Sequence, residues 1–305
     1  MHHTSRLDPY RLLTEEEREA HLDACVRFLA ERDGEPDIAA RTLSAREARM
    51  RHYEENPVVW DGALDRDAFA QAFAGSRTVA LDARGEWALA AAKSNEGETY
   101  GVELELRRFA KHGVYPGLRA PGILVTQYMQ EAYHCRLLVE LCRSCGIEFR
   151  PRRPAWTNRV LISVMGLLPP ALKWIPGMAG EVVGAAVFGI LYERTSLFAE
   201  NPSVQARLKA LLREIWLDES IHVSYLRSQN GRLGLAVVRA LVPIVARVLL
   251  EDLPPLRKIG LTPKDLLRWI EDGIPIPDEV AWLEAPYTSN VGRDRAESEA
   301  LEVVG

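Results

Sequence analysis

The chain of 305 residues has few cysteines. Cys25, Cys135, Cys142 and Cys145 are too sparse for the disulfide framework of a secreted fold, so reduced thiols and a cytoplasmic setting are expected. Glycine-rich phosphate loops, Walker motifs and nucleophile elbows are missing, which removes the usual footholds of nucleotide binding and serine-hydrolase chemistry. Positive charge is not in excess. The formal net charge is −5, leaving no global field to draw in nucleic acid. The first twenty residues are rich in acids and have no apolar h-region, so no export signal is expected there. The most apolar stretch, 160–192, is interrupted by Pro169, Pro170, Lys173, Pro176 and Glu181. It falls short of the roughly 20 unbroken apolar residues a bilayer requires and reads as buried helix, with no membrane partner. Strand-like alternation is also scarce.

What is present is helical periodicity. Thr14 and Glu17 form a capping-box signature ahead of a helix through Leu29, and Ser44 and Glu47 repeat it before a short charged helix. Longer helices are expected over 86–111, 121–145, 180–199, 202–228 and 233–251. Gly113 and Pro116 close the first of these, Gly146 the second, and Asn201-Pro202 opens the fourth. Short links favour antiparallel neighbours. The pairs 86–111 with 121–145 and 180–199 with 202–228 therefore read as two hairpins of a four-helix bundle. The expected organisation is an N-terminal helical arm over 1–75, a bundle with further C-terminal helices over 76–288, and a polar tail over 289–305. The fold class is all-α.

Two Glu-x-x-His pairs, Glu131 with His134 and Glu219 with His222, stand in the middle of the second and fourth bundle helices. Residues three apart share a helix face, so each pair offers a carboxylate and an imidazole to one metal ion. Oxygen-rich sites with one imidazole suit iron or manganese. A single such pair is weak evidence, because Glu is common. Two pairs, each among apolar neighbours and each in a different hairpin, carry more weight. A carboxylate-bridged pair of ions needs one further Glu from each remaining helix. Counting away from a turn near Gly117 places the first at Glu103, with Glu98 second and Glu105 third among the available acids, which also include Glu96. Counting from Asn201-Pro202 places the other near 185, where no acid stands. Glu193 is favoured there because it follows an apolar run. Glu181 is the alternative, with a helix-capping role as its ordinary explanation. Asp218 and Gln130, each preceding a motif Glu, are placed to accept the second N–H of His134 and of His222 across the bundle. Tyr133 and Trp216 are candidates to line a pocket, with core packing the more ordinary role. Cys142-Arg-Ser-Cys145 has neither the extra ligands of a zinc site nor the context of a thioredoxin motif. His21 and His52 read as surface residues, and His112 as a turn residue.

The segment from Asn95-Glu96 through His112-Gly-Val-Tyr-Pro-Gly117 to Gln130-Glu-Ala-Tyr-His134 resembles the di-iron arylamine N-oxygenases, the p-aminobenzoate N-oxygenase family. So does the stretch from Leu197-Phe-Ala-Glu-Asn201 through Asp218-Glu-Ser-Ile-His222, and the resemblance spans roughly 80–260. It implies a ferritin-like bundle, two Fe ions, O2 as co-substrate, an external electron donor, a small-molecule amine substrate and a homodimer. Glu131, His134, Glu219 and His222 match the family's ligand positions, and Glu103 matches with a gap of about one turn. Two positions depart. Ile215 stands where members that make nitro groups carry a further His, and Phe188 stands where a gapless match would put the third-helix Glu.

Overall fold

The computed structural model describes residues 5–284 except 38, 39, 41, 63, 77, 113–118, 155 and 169. The expected turn around Gly113, Pro116 and Gly117, and the tail over 289–305, lie outside these residues, as does the His112 side chain. The fold is all-α. In chain order the helices are α1 (Glu15–Asp33), α2 (Ser44–Glu55), α3 (Arg66–Phe73), α4 (Ala83–His112), α5 (Pro121–Ser144), α6 (Trp156–Leu167), α7 (Pro170–Glu193), α8 (Pro202–Gln229), α9 (Arg232–Asp252), α10 (Pro254–Lys258) and α11 (Pro263–Glu271). Two-residue strands make two small antiparallel ladders: β1 (Arg6–Leu7) with β4 (Ile274–Pro275), and β2 (Pro36–Asp37) with β3 (Thr42–Leu43). The first ties the start of the described chain to its end.

Four long helices form the core. α4 packs on α5, α7 on α8, and α5 on α8, while α1 and α2 cover α5 and α1 also reaches α8. Local chemistry sets their ends. Thr14 and Glu17 make the reciprocal capping box of α1, with Glu17 N–H donating to Thr14 Oγ1 (3.2 Å) and Thr14 N–H to Glu17 Oε2 (2.8 Å). Asn201 caps α8, its side chain accepting from Val204 N–H at 3.2 Å, with Pro202 in the first turn. Gly146, at φ +77°, takes the left-handed conformation that ends α5. Ser44 does not act as expected. It is the first residue of α2, Leu43 occupies the cap, and Glu47 turns to Arg136, Tyr133 and Arg51 instead.

The third bundle helix also differs from expectation. It starts at Pro170, ten residues early, runs through Pro176, and stops at Glu193, where a 3-10 turn over Arg194–Phe198 takes over. Pro176 lies inside this helix and removes the bond its N–H would make to the carbonyl four residues earlier, yet the helix continues through it. The long apolar stretch is thus two helices, α6 ending at Leu167 and α7 beginning at Pro170. By length and composition alone, two segments are apolar enough to cross a membrane: Lys173–Phe198, mostly buried against the bundle, and Arg232–Glu251, mostly not. On the second, in α9, Leu233 and Ile244 stand exposed.

Candidate metal centre

The relative directions of the helices follow from side-chain contacts. Gln130 meets His222 while His134 meets Asp218, so α5 and α8 are antiparallel. Gly184 faces Glu219 and Gly189 faces Trp216, so α7 is antiparallel to α8 and therefore parallel to α5. Asn95 donates to the carbonyl of Cys135 at 2.8 Å, beside the level at which Glu98 faces Glu131.

At the middle of this bundle two groups of potential ligands overlap. Glu98, Glu131, His134 and Glu219 form one, and Glu131, Glu181, Glu219 and His222 form the other, with all the ligand atoms of each group within 4.8 Å of one another. Glu131 and Glu219 belong to both. The oxygens of Glu131 divide between the imidazoles: Oε2 is 3.2 Å from His134 Nδ1 and Oε1 is 3.1 Å from His222 Nδ1. His134 Nδ1 also lies 3.5 Å from Glu219 Oε1, and His222 Nδ1 lies 3.4 Å from Glu181 Oε2. The two rings sit 5.9 Å apart. Gly184 makes room for this, because a Cβ there would stand 3.2 Å from Glu219 Oε2. His134, Glu219 and His222 are buried, while Glu98, Glu131 and Glu181 are partly exposed.

Two of the expected acids are displaced. Glu103 is exposed and paired with Arg107. It lies five residues beyond Glu98, about 140° round the helix, so the α4 acid in the cluster is Glu98. Glu193 is exposed at the last residue of α7, about 18 Å along the axis from Glu181, which is the α7 acid in the cluster. Glu96 is buried elsewhere and pairs with Lys93. The side chain of Glu105 is not among the described ones. His21 is fully buried rather than superficial, beside Ser224 and Cys25, whereas His52 is exposed. Tyr133 and Trp216 turn away from the cluster. The Tyr133 hydroxyl donates to Glu47 at 3.0 Å, and Trp216 Nε1–H donates to the Pro275 carbonyl at 3.1 Å. Ile215 is fully buried one turn before Glu219.

Behind the imidazoles stands a hydrogen-bonded layer that sets their tautomers. His134 Nε2–H donates to Asp218 Oδ2 at 2.9 Å, and His222 Nε2–H donates to Gln130 Oε1 at 2.9 Å. The amide of Gln130 cannot be turned round. Its Nε2 donates to two carboxylates, Asp33 Oδ2 (2.7 Å) and Asp218 Oδ1 (3.1 Å), which can only accept. With each Nε2 carrying the proton, each Nδ1 is left to face the carboxylates, and both Nδ1 atoms are buried without a hydrogen-bond partner of sound geometry. That is the disposition of a metal-ligating imidazole backed by an outer acceptor. The layer is fixed in turn by arginines from α1 and α2, which the spacing of the sequence does not reveal. Arg46 grips Asp218 through Nη2–Oδ2 (2.6 Å) and Nη1–Oδ1 (3.2 Å), Arg32 also binds Asp218, and Arg49 binds Asp33 at 2.8 Å.

The electrostatics require a counter-charge. Burial, then the neighbouring Glu131 and Glu181, push Glu98 well above the ordinary carboxyl range, and burial with Glu181, Glu131 and Glu98 does the same to Glu219. Burial pushes Glu131 the same way, but His134 and His222 outweigh it and hold it well below. Burial disfavours the charged imidazole of His222, yet Glu131 and Glu181 raise it to about 10. Four carboxylates packed this closely need protons or cations among them. The buried Glu and His side chains could hold metal, and the donor set, all oxygen and imidazole nitrogen, fits it.

No family model, characterised protein or solved structure matches this chain. The site's own geometry therefore carries the functional reading.

Proposed function

We propose that this protein is a ferritin-like, non-haem di-iron oxygenase that uses O2 to oxidise an amine nitrogen on a small-molecule substrate. The observation that carries the reading is the sharing of Glu131 and Glu219 between two histidine-containing groups. In this arrangement Glu98 and His134 would hold one ion and Glu181 and His222 the other, with Glu131 and Glu219 available to both. Iron fits the donor set, with manganese as its nearest substitute. When bound, such a pair supplies the redox chemistry of O2 activation, fed by electrons from an external donor. The protein's own part is positional. Asp218 and Gln130 hold each imidazole with its Nδ1 inward, the arginines hold Asp218, and the packed bundle restricts water. The partly exposed acids, Glu98, Glu131 and Glu181, would lie on the side from which a substrate approaches.

Ile215 favours a second reading within the same chemistry. An isoleucine one turn before Glu219 offers no extra nitrogen ligand, so C–H hydroxylation or desaturation becomes the alternative outcome on this centre. Reduced, iron-loaded protein should consume O2 in amounts stoichiometric with its iron, as followed with an oxygen electrode. It should convert p-aminobenzoate to the nitro compound poorly or not at all. Efficient nitro formation would remove the significance given to Ile215. No O2 uptake would leave a non-catalytic metal-binding protein.

A further inference from the structure

One turn from the cluster, two helix glycines with no described atom near their Cβ positions and one buried unpaired acceptor stand on the faces that carry the cluster's acids. Gly101 lies three residues after Glu98 on α4, Gln127 four before Glu131 on α5, and Gly177 four before Glu181 on α7. Each therefore shares a helix face with the acid it follows or precedes. Because α4 is antiparallel to α5 and α7 is parallel to it, all three steps lead toward the same end of the bundle. Among the described residues, a Cβ built at Gly101, Gly177 or Gly180 would meet no atom within 4 Å, in contrast to Gly184, which faces Glu219. Glycine within a helix costs roughly 0.5–1 kcal/mol relative to alanine, so these positions give up helix stability beside a space they do not fill.

Gln127 is 5% exposed. Its Nε2 donates to Glu181 Oε1 at 3.0 Å. A carboxylate oxygen only accepts, so the amide orientation is fixed and Oε1 must point elsewhere. That buried oxygen has no hydrogen-bond partner. An unpaired buried acceptor is unfavourable, and a bound donor would relieve it.

We propose that this space is the substrate pocket and that Gln127 Oε1 accepts a hydrogen bond from an N–H or O–H of the substrate. The ligand class is a neutral amine or hydroxyl on an apolar body, the body lying along Gly101 and Gly177. The inference builds on the di-iron reading of the neighbouring cluster. The Gln127–Glu181 bond sets the acceptor beside the ion position of Glu181 and His222, so the heteroatom, or the carbon bearing it, is the part presented to the metal.

The test uses two matched pairs of probes, aniline with N,N-dimethylaniline and phenol with anisole. Their binding to the full chain is measured by ligand-detected NMR, with and without iron. Wild-type protein should bind aniline and phenol about tenfold more tightly than their methylated partners. Gln127→Leu and Gln127→Met should abolish that preference in iron-free as well as iron-treated protein. Gly177→Leu should weaken all four probes with iron content unchanged. Equal binding within each pair, binding of none of the probes, or a preference that survives Gln127→Leu would overturn the proposal. A preference that persists in protein unable to hold iron would uphold the pocket while rejecting the di-iron reading.

Discussion

Glu98→Ala and Glu181→Ala should each cost about half or more of the iron bound per chain, whereas Glu103→Ala and Glu193→Ala should leave it unchanged. Elemental analysis after anaerobic reconstitution reads the difference directly. The first two side chains lie within 4.8 Å of other ligand atoms, each in one group only, so each removal opens one ion position. The second two are exposed, and Glu103 pairs with Arg107 on the helix surface. An exposed pair of that kind contributes about 0.3–0.5 kcal/mol and has no bearing on the centre. Iron loss confined to Glu103→Ala and Glu193→Ala would mean that the faces of α4 and α7 are assigned wrongly.

The second large effect belongs to Arg46. It is 2% exposed and is held by Asp218, with Asp33 and Glu214 within ion-pair reach. Burial alone would push Asp218 up, and Arg32 and Arg46 instead hold it well below the ordinary carboxyl range. Arg46→Met would leave that carboxylate buried with half of its cationic support. Breaking a buried pair from one side costs about 3–5 kcal/mol, so the variant should unfold at markedly lower urea concentration. Because Asp218 orients His134, iron affinity should also fall, by about 10–100-fold. Stability within about 0.5 kcal/mol of wild type would show that the arm over α1 and α2 is not fastened through this cluster.

The two Glu-x-x-His motifs, their outer partners Asp218 and Gln130, and four of the five long helices are legible in sequence because each depends on local spacing. The two remaining acids are not, and the reasons differ. On α4, Asn95 pairs with Cys135, so Glu131 stands opposite position 99 rather than 103, and the acid beside that level is Glu98. On α7, the counting about Asn201-Pro202 places Gly184 opposite Glu219, close to the expected 185. The acid that reaches the cluster stands one turn away, at the level of His222 rather than of Glu219. The helix expected from 180 put Glu181 at an apparent start, where a capping role explained it. Arg32, Arg46 and Gln127 left no local signal. Their roles come from contacts across the fold, such as Arg46 to Asp218 over 172 positions, and only packing brings such residues together.

The shared carboxylates make one claim central: two iron ions close enough to interact. Mössbauer spectroscopy of wild-type protein reconstituted with isotopically enriched iron, paired with elemental analysis, tests it most directly. About two irons per chain are expected, present after oxidation as one antiferromagnetically coupled pair. A single zinc, isolated uncoupled irons, or no metal after careful reconstitution would contradict it.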